Sequence, residues 1–180
     1  VRGDVSVRPI TGFETYATAQ GTDGRLYSKY GIALSVASLP LYGVGGLLET
    51  AVPAAGLKAF QSPRLLYYDR SNPSEVLRSF TTTLTNAWVM ALTFAFIASI
   101  LCYLGMSPRL AAITSILGGL TGLSPFYAKT YFSEPLAGLF LVLALLAIFQ
   151  AERREKLSWL FTAGLCLGAS MLTRVAHGAL

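Results

Sequence analysis

The chain reads as all-α, a polytopic bundle of transmembrane helices. Three observations carry that reading. Hydrophobic residues make up 53% of its 180 positions and charged residues 13%, where soluble domains carry about 25% charged. The mean hydropathy is +0.55. The apolar residues gather in long runs separated by short polar connections.

The elements follow in order. Residues 1–29 are polar, rich in Gly, Thr and Asp, and read as an extracytoplasmic loop. Gly21-Thr22-Asp23-Gly24 is a turn signal within it, and Phe13 and Tyr16 are placed to dock the loop on a surface. Residues 30–60 are apolar but broken by Pro40, Gly43, Gly45, Gly46, Pro53 and Gly56, with Glu49 in the middle. The part before Glu49 is near the lower limit of the roughly 17–25 residues that a span needs. Two readings stay open there: a span, or an interfacial or re-entrant helix followed by a second short one.

Residues 61–80 form a polar connection whose Ser71-Asn72-Pro73-Ser74-Glu75 reads as a turn plus helix start. Residues 81–104 carry no charge and are long enough to cross a bilayer. Gly105-Met106-Ser107-Pro108-Arg109 is a tight turn. Residues 110–126 are the next apolar segment, where Gly118, Gly119 and Gly122 permit close helix packing. Residues 135–150 form another, Glu152 to Lys156 a charged loop, and residues 157–173 the last, followed by Arg174 and His177. Residues 81–180 are thus expected to hold four transmembrane helices. A start at Val1 without a signal peptide, and an end at Leu180 just after an apolar run, read as an internal piece of a longer protein.

Composition narrows the function classes. The net charge is +5, but the basic residues are scattered and no basic–aromatic patch forms, which argues against nucleic acid. Anionic lipid headgroups or a phosphate-bearing substrate suit them better. Cys102 and Cys166 sit inside apolar runs with no CxxC or Cys/His cluster, so neither zinc nor a disulfide framework is indicated. Both read as small buried hydrophobes. His177, the sole histidine, reads as structural. GxGxxG and P-loop patterns are absent, which disfavours a nucleotide-sugar donor held in a Rossmann domain of this chain.

Two polar motifs stand against the apolar runs: Tyr27-Ser28-Lys29-Tyr30-Gly31, and Tyr127-Ala128-Lys129-Thr130-Tyr131-Phe132-Ser133-Glu134-Pro135. Charges near a bilayer usually handle a substrate, an ion or a headgroup; the plainer alternative is interfacial anchoring. The bias of basic residues in short loops puts Arg153, Arg154 and Lys156 in the cytoplasm, and hence Lys129 and Glu134 outside. If residues 30–60 lie in the interface, both motifs face the same compartment. If residues 30–49 cross, they lie on opposite sides.

Asp23-Gly24-Arg25-Leu26-Tyr27-Ser28-Lys29-Tyr30-Gly31, then Leu39-Pro40-Leu41-Tyr42 and Gly45, resembles a stretch of bacterial polytopic glycosyltransferases of the GT-C superfamily. These are relatives of the protein mannosyltransferases and of the lipid A aminoarabinose transferases. Ser124-Pro125-Phe126-Tyr127, Lys129-Thr130, Phe132 to Ala137, Gly164 to Gly168 and Leu172-Thr173-Arg174 resemble the same group, in order, over most of residues 20–178.

The resemblance implies an outer first loop whose helices, residues 30–60, rest on the membrane. It also implies transfer of a sugar from a polyprenyl-phosphate donor to an acceptor at the outer face of the bacterial inner membrane. A carboxylate would serve the acceptor hydroxyl, and Lys or Arg the departing phosphate. The family's principal acid follows its first transmembrane helix, expected upstream of Val1. Asp4 and Glu14 do not take that role, so the catalytic residue is unknown and the fragment alone is expected to be inactive. A divalent metal occurs in the superfamily, but no ligand cluster here supports one.

The substrate-binding candidates are Lys129, Glu134, Lys29, Tyr30, Arg25, Tyr127 and Arg174. Glu134 before Pro135 suits a first helical turn, where the helix dipole alone favours a carboxylate. Lys129 serves as a point charge for phosphate or simply snorkels. Arg174 ends a helix on the outer side, where a positive charge is disfavoured unless a phosphate meets it. Two alternatives stand beside the transferase: a non-catalytic membrane scaffold or accessory subunit of a larger complex, and a polyprenyl-sugar transporter or flippase, which paired broken helices would mark.

Overall fold

In a nonpolar surrounding the backbone must satisfy its own polar groups, and a helix does so within one segment. The computed structural model, which describes residues 18–20, 26–28, 32–53 and 73–173, is accordingly helical. Its helices are α1 Ala33–Ala51, α2 Pro73–Tyr103, α3 Pro108–Leu120, α4 Ser124–Ala128, α5 Glu134–Arg154 and α6 Leu157–Thr173. Before them, β1 Thr18–Gln20 pairs antiparallel with β2 Leu26–Ser28, with Ala19 opposite Tyr27. This ribbon lies within residues 1–29, the segment read as an extracytoplasmic loop. The turn motif Gly21 to Gly24 falls between the strands and lies outside the described residues, as does the loop of Phe13 and Tyr16.

Helix α2 is the centre of the bundle, with α1, α3, α4 and α5 packed against it; α6 packs on α5 and reaches α1. Leu34 of α1 clusters with Val89, Leu136 and Leu139, while Gly45 lies against Arg78 and Thr81. Rising numbers in α1 therefore meet falling numbers in α2, and the two helices run antiparallel. Among the described residues, two helices are long and apolar enough to cross a membrane: Leu77–Tyr103 within α2, and α5.

The helix start at Pro73, the turn at Gly105 (φ +94°), and Pro108 just inside α3 agree with the sequence reading. So do Glu134 and Pro135 in the first turn of α5. Three expectations change. Residues 33–51 form one unbroken helix through Pro40, laid lengthwise on α2. Pro40 costs one backbone hydrogen bond there, and Gly45 allows α1 to approach α2 closely. Residues 110–126 are not one span. Helix α3 has 13 residues, about 20 Å at 1.5 Å per residue, against a hydrocarbon core of ~30 Å. Gly122, at φ +65°, bends the chain out of the helix before α4 begins. Gly118 and Gly119 face the Phe94 ring rather than another backbone.

The charged stretch 152–156 is mostly helix, since α5 runs to Arg154 and ends at Glu155 in a left-handed conformation (φ 51°). Helix α6 has the expected bounds, but its 17 residues make it about 25 Å long. Of the four expected spans, those in α2 and α5 are long and apolar enough to cross a membrane among the described residues; α6 is described as far as Thr173.

The interior combines a few leucines and many alanines with small polar residues. The largest fully buried side chains are Asn86, Thr173 and Ser170, while Trp88, Leu157, Phe161 and Leu172 are exposed. Helices that meet through small and weakly polar residues and turn their large apolar ones outward suit a lipid surrounding. Cys102 is exposed and Cys166 half-buried, which corrects the expectation that both are buried: apolar runs here cover the outside of the bundle as well as its inside.

Candidate functional site

Residues 129–133 join α4 to α5 and carry the second polar motif. A non-helical stretch between two helices exposes carbonyls that need donors. Asn86, fully buried on α2, supplies them: its one side-chain amide donates to the Thr130 carbonyl at 2.5 Å and the Phe132 carbonyl at 2.8 Å. Tyr131, between those carbonyls, reaches the other way. Its hydroxyl lies 2.6 Å from the Ser38 hydroxyl of α1. Each hydroxyl also has a backbone carbonyl within reach, Ser35 for Ser38 and Leu34 for Tyr131, so either can be the donor of the pair. The Leu34 carbonyl is 3.4 Å from the Tyr131 hydroxyl. The loop is thus pinned to α2 on one side and α1 on the other.

The candidates Tyr127, Lys129 and Glu134 come together at this α4–α5 junction. Tyr127 packs edge-on against Phe126 and Phe132, with ring centroids 5.7 and 6.3 Å away. Lys129 caps α4 and is exposed. Glu134 is half-buried in the first turn of α5. Arg25, Lys29, Tyr30 and Arg174 lie outside the described residues, as does His177.

Beside the junction, two adjoining cavities of about 470 and 480 Å³ run between α2 and α3. They share Ala87, Gly119, Leu120 and Ala128, and so form one groove. Its walls are apolar: Met90, Ala91, Phe94, Ala95 and Ala98 from α2, Ala112 and Ile116 from α3. From Phe80 to Ala98 the α2 wall rises about 27 Å at 1.5 Å per residue. Lys129 is the charged residue in its lining, at the Phe80 end. Ser115 also lines the groove; its hydroxyl is buried and has no hydrogen-bond partner among the described residues.

No family model, no curated protein and no solved structure matches this chain. The chemistry of the site therefore rests on its own residues. A long apolar groove with an ammonium at one mouth is complementary to an amphiphile with an anionic head. Among the described residues, no three His, Cys, Asp or Glu side chains gather to hold a metal ion.

Two polar features escaped the sequence reading. Asn86 carries no charge, and so passed unnoticed in the run 81–104; an amide within an otherwise apolar span is the signal that marks it. Glu49 and Arg78, 29 positions apart, form an ion pair at 2.8 Å. Arg78 also donates to the Tyr42 hydroxyl at 3.2 Å and lies over the Tyr42 ring. This cluster joins the end of α1 to the start of α2. At the other end of the bundle, Tyr103 stacks on Phe149 and donates to Glu152 at 3.4 Å, and Arg154 lies over the Trp159 ring.

Proposed function

We propose that this chain is the lipid-donor-binding part of a GT-C-like membrane glycosyltransferase, which moves a sugar from a polyprenyl-phosphate to an acceptor at the outer face of the bacterial cytoplasmic membrane. The single observation that carries the reading is the groove between α2 and α3 with Lys129 at its mouth. Its length, about 27 Å, exceeds what one acyl chain of a leaflet occupies, roughly half of the ~30 Å hydrocarbon core, and suits a longer polyprenyl chain. Lys129 neutralises the phosphate as the sugar leaves, the point at which charge develops. Glu134, across the junction, serves the acceptor. The basic end of α5, Arg153 and Arg154, would then be cytoplasmic.

The test is retention of lipid by the chain purified in detergent and read by native mass spectrometry. Polyprenyl phosphate is expected to be retained in preference to a bilayer phospholipid of equal charge, and Lys129→Ala to lose that preference. Equal retention of both lipids by wild type ends the reading.

A second reading draws on the break between α3 and α4 at Gly122, because interrupted helices mark transport sites. A polyprenyl-sugar flippase would move labelled lipid between leaflets of a vesicle with no acceptor present; the transferase would not.

A further inference from the structure

We infer that Asn86 is the positioning residue for Lys129: its buried amide sets where the ammonium stands at the mouth of the groove. This rests on the reading of the groove as an anionic-lipid site. The geometry is specific. Asn86 and Ala87 are neighbours on α2; Ala87 lines the groove, while Asn86 holds the loop that follows Lys129. One helix turn therefore sets both the wall and the charge. Both hydrogens of the amide are used, on carbonyls one and three residues beyond Lys129.

The second observation is the other half of the same group. Among the described residues, the buried Asn86 carbonyl oxygen has no hydrogen-bond partner, and the adjacent Thr85 hydroxyl is in the same state. A buried polar atom without a partner is costly and uncommon in native proteins, and calls for a reason beyond packing. Holding two loop carbonyls from a fixed point on α2 is such a reason, since an apolar residue of similar size would fill the space without supplying donors. Tyr131, pinned to Ser38, stops the loop from rotating about the Asn86 contacts.

The experiment compares binding of farnesyl phosphate and farnesol, which differ in the anionic head, to the full chain in detergent. Wild type is expected to favour the phosphate by about tenfold or more, the size of a charge-assisted contact. Asn86→Ala and the near-isosteric Asn86→Asp are expected to reduce that preference to about twofold or less with farnesol affinity unchanged. The double variant Asn86→Ala/Lys129→Ala should be no weaker than Lys129→Ala. Retained preference, or equal loss of both ligands, overturns the assignment.

Should wild type show no preference for the phosphate, the groove reading fails, and a distance measurement decides the positioning role by itself. Spin labels at Phe80→Cys and Lys129→Cys, with Cys102→Ser and Cys166→Ala, are expected to give a narrow distance distribution with Asn86 and a broad one with Asn86→Ala. Equally narrow distributions overturn it.

Discussion

Glu49 and Arg78 meet at 2.8 Å across the α1–α2 contact, one at the last turns of α1 and the other inside the apolar helix Leu77–Tyr103. An arginine in such a helix needs a partner, and α1 brings it. The carboxylate is the better shielded of the two, 19% exposed against 37% for Arg78. Removing either member leaves the other charge without its counterpart. Glu49→Gln and Arg78→Gln are each expected to lower the thermal unfolding midpoint by a few degrees. The double variant should fall no further than the worse single, and full additivity in the melting curves would show that the pair does not couple the helices.

Gly45 makes that meeting possible. A methyl group there would sit 2.6 Å from the Arg78 Cα and meet the Thr81 hydroxyl, whereas one on Gly43 would meet nothing within 4 Å. Gly45→Ala is therefore expected to force α1 away from α2 at a cost of about 1–3 kcal/mol. Gly43→Ala, in an exposed helical position, should stabilise by roughly 0.5–1 kcal/mol. Denaturation of the two variants side by side checks the contrast.

Tyr131 and Ser38 tie the loop to α1. Tyr131→Phe removes the hydroxyl and keeps the ring, so the expected loss is that of one hydrogen bond, about 0.5–1.5 kcal/mol. Ser38→Ala should cost a similar amount, and the two should not add. Amide hydrogen exchange over residues 33–38 should quicken in both. Unchanged exchange would mean that the contact does not hold the start of α1.

Filling the groove separates occupancy from stability. Ala95 lines its apolar wall, and Ala95→Leu adds three carbons to that space. Lipid retention is expected to fall severalfold while the melting midpoint holds or rises. Undiminished retention would place the lipid elsewhere.

Much of the candidate site was legible in the chain itself. Lys129, Glu134 and Tyr127 stand out because charges and aromatics between apolar runs are conspicuous, and Pro135 marks the start of α5. The groove was not legible. It arises where small residues of α2 and α3 face each other, Ala91, Ala95 and Ala98 against Ala112, Ser115 and Gly119, and hydropathy does not show which faces meet. Asn86 was not legible either, because the carbonyls it serves lie 44 and 46 positions away.

The sequence by itself determined the helical class, the two long apolar helices and most helix ends, because these depend on local composition, proline positions and turn residues. Tertiary structure alone decided that α1 lies lengthwise on α2, that Glu49 answers Arg78, and that one buried amide holds the loop beside Lys129. Those outcomes depend on close approach between segments far apart in the chain. Hydropathy, which sums one residue at a time, carries no record of which surfaces meet.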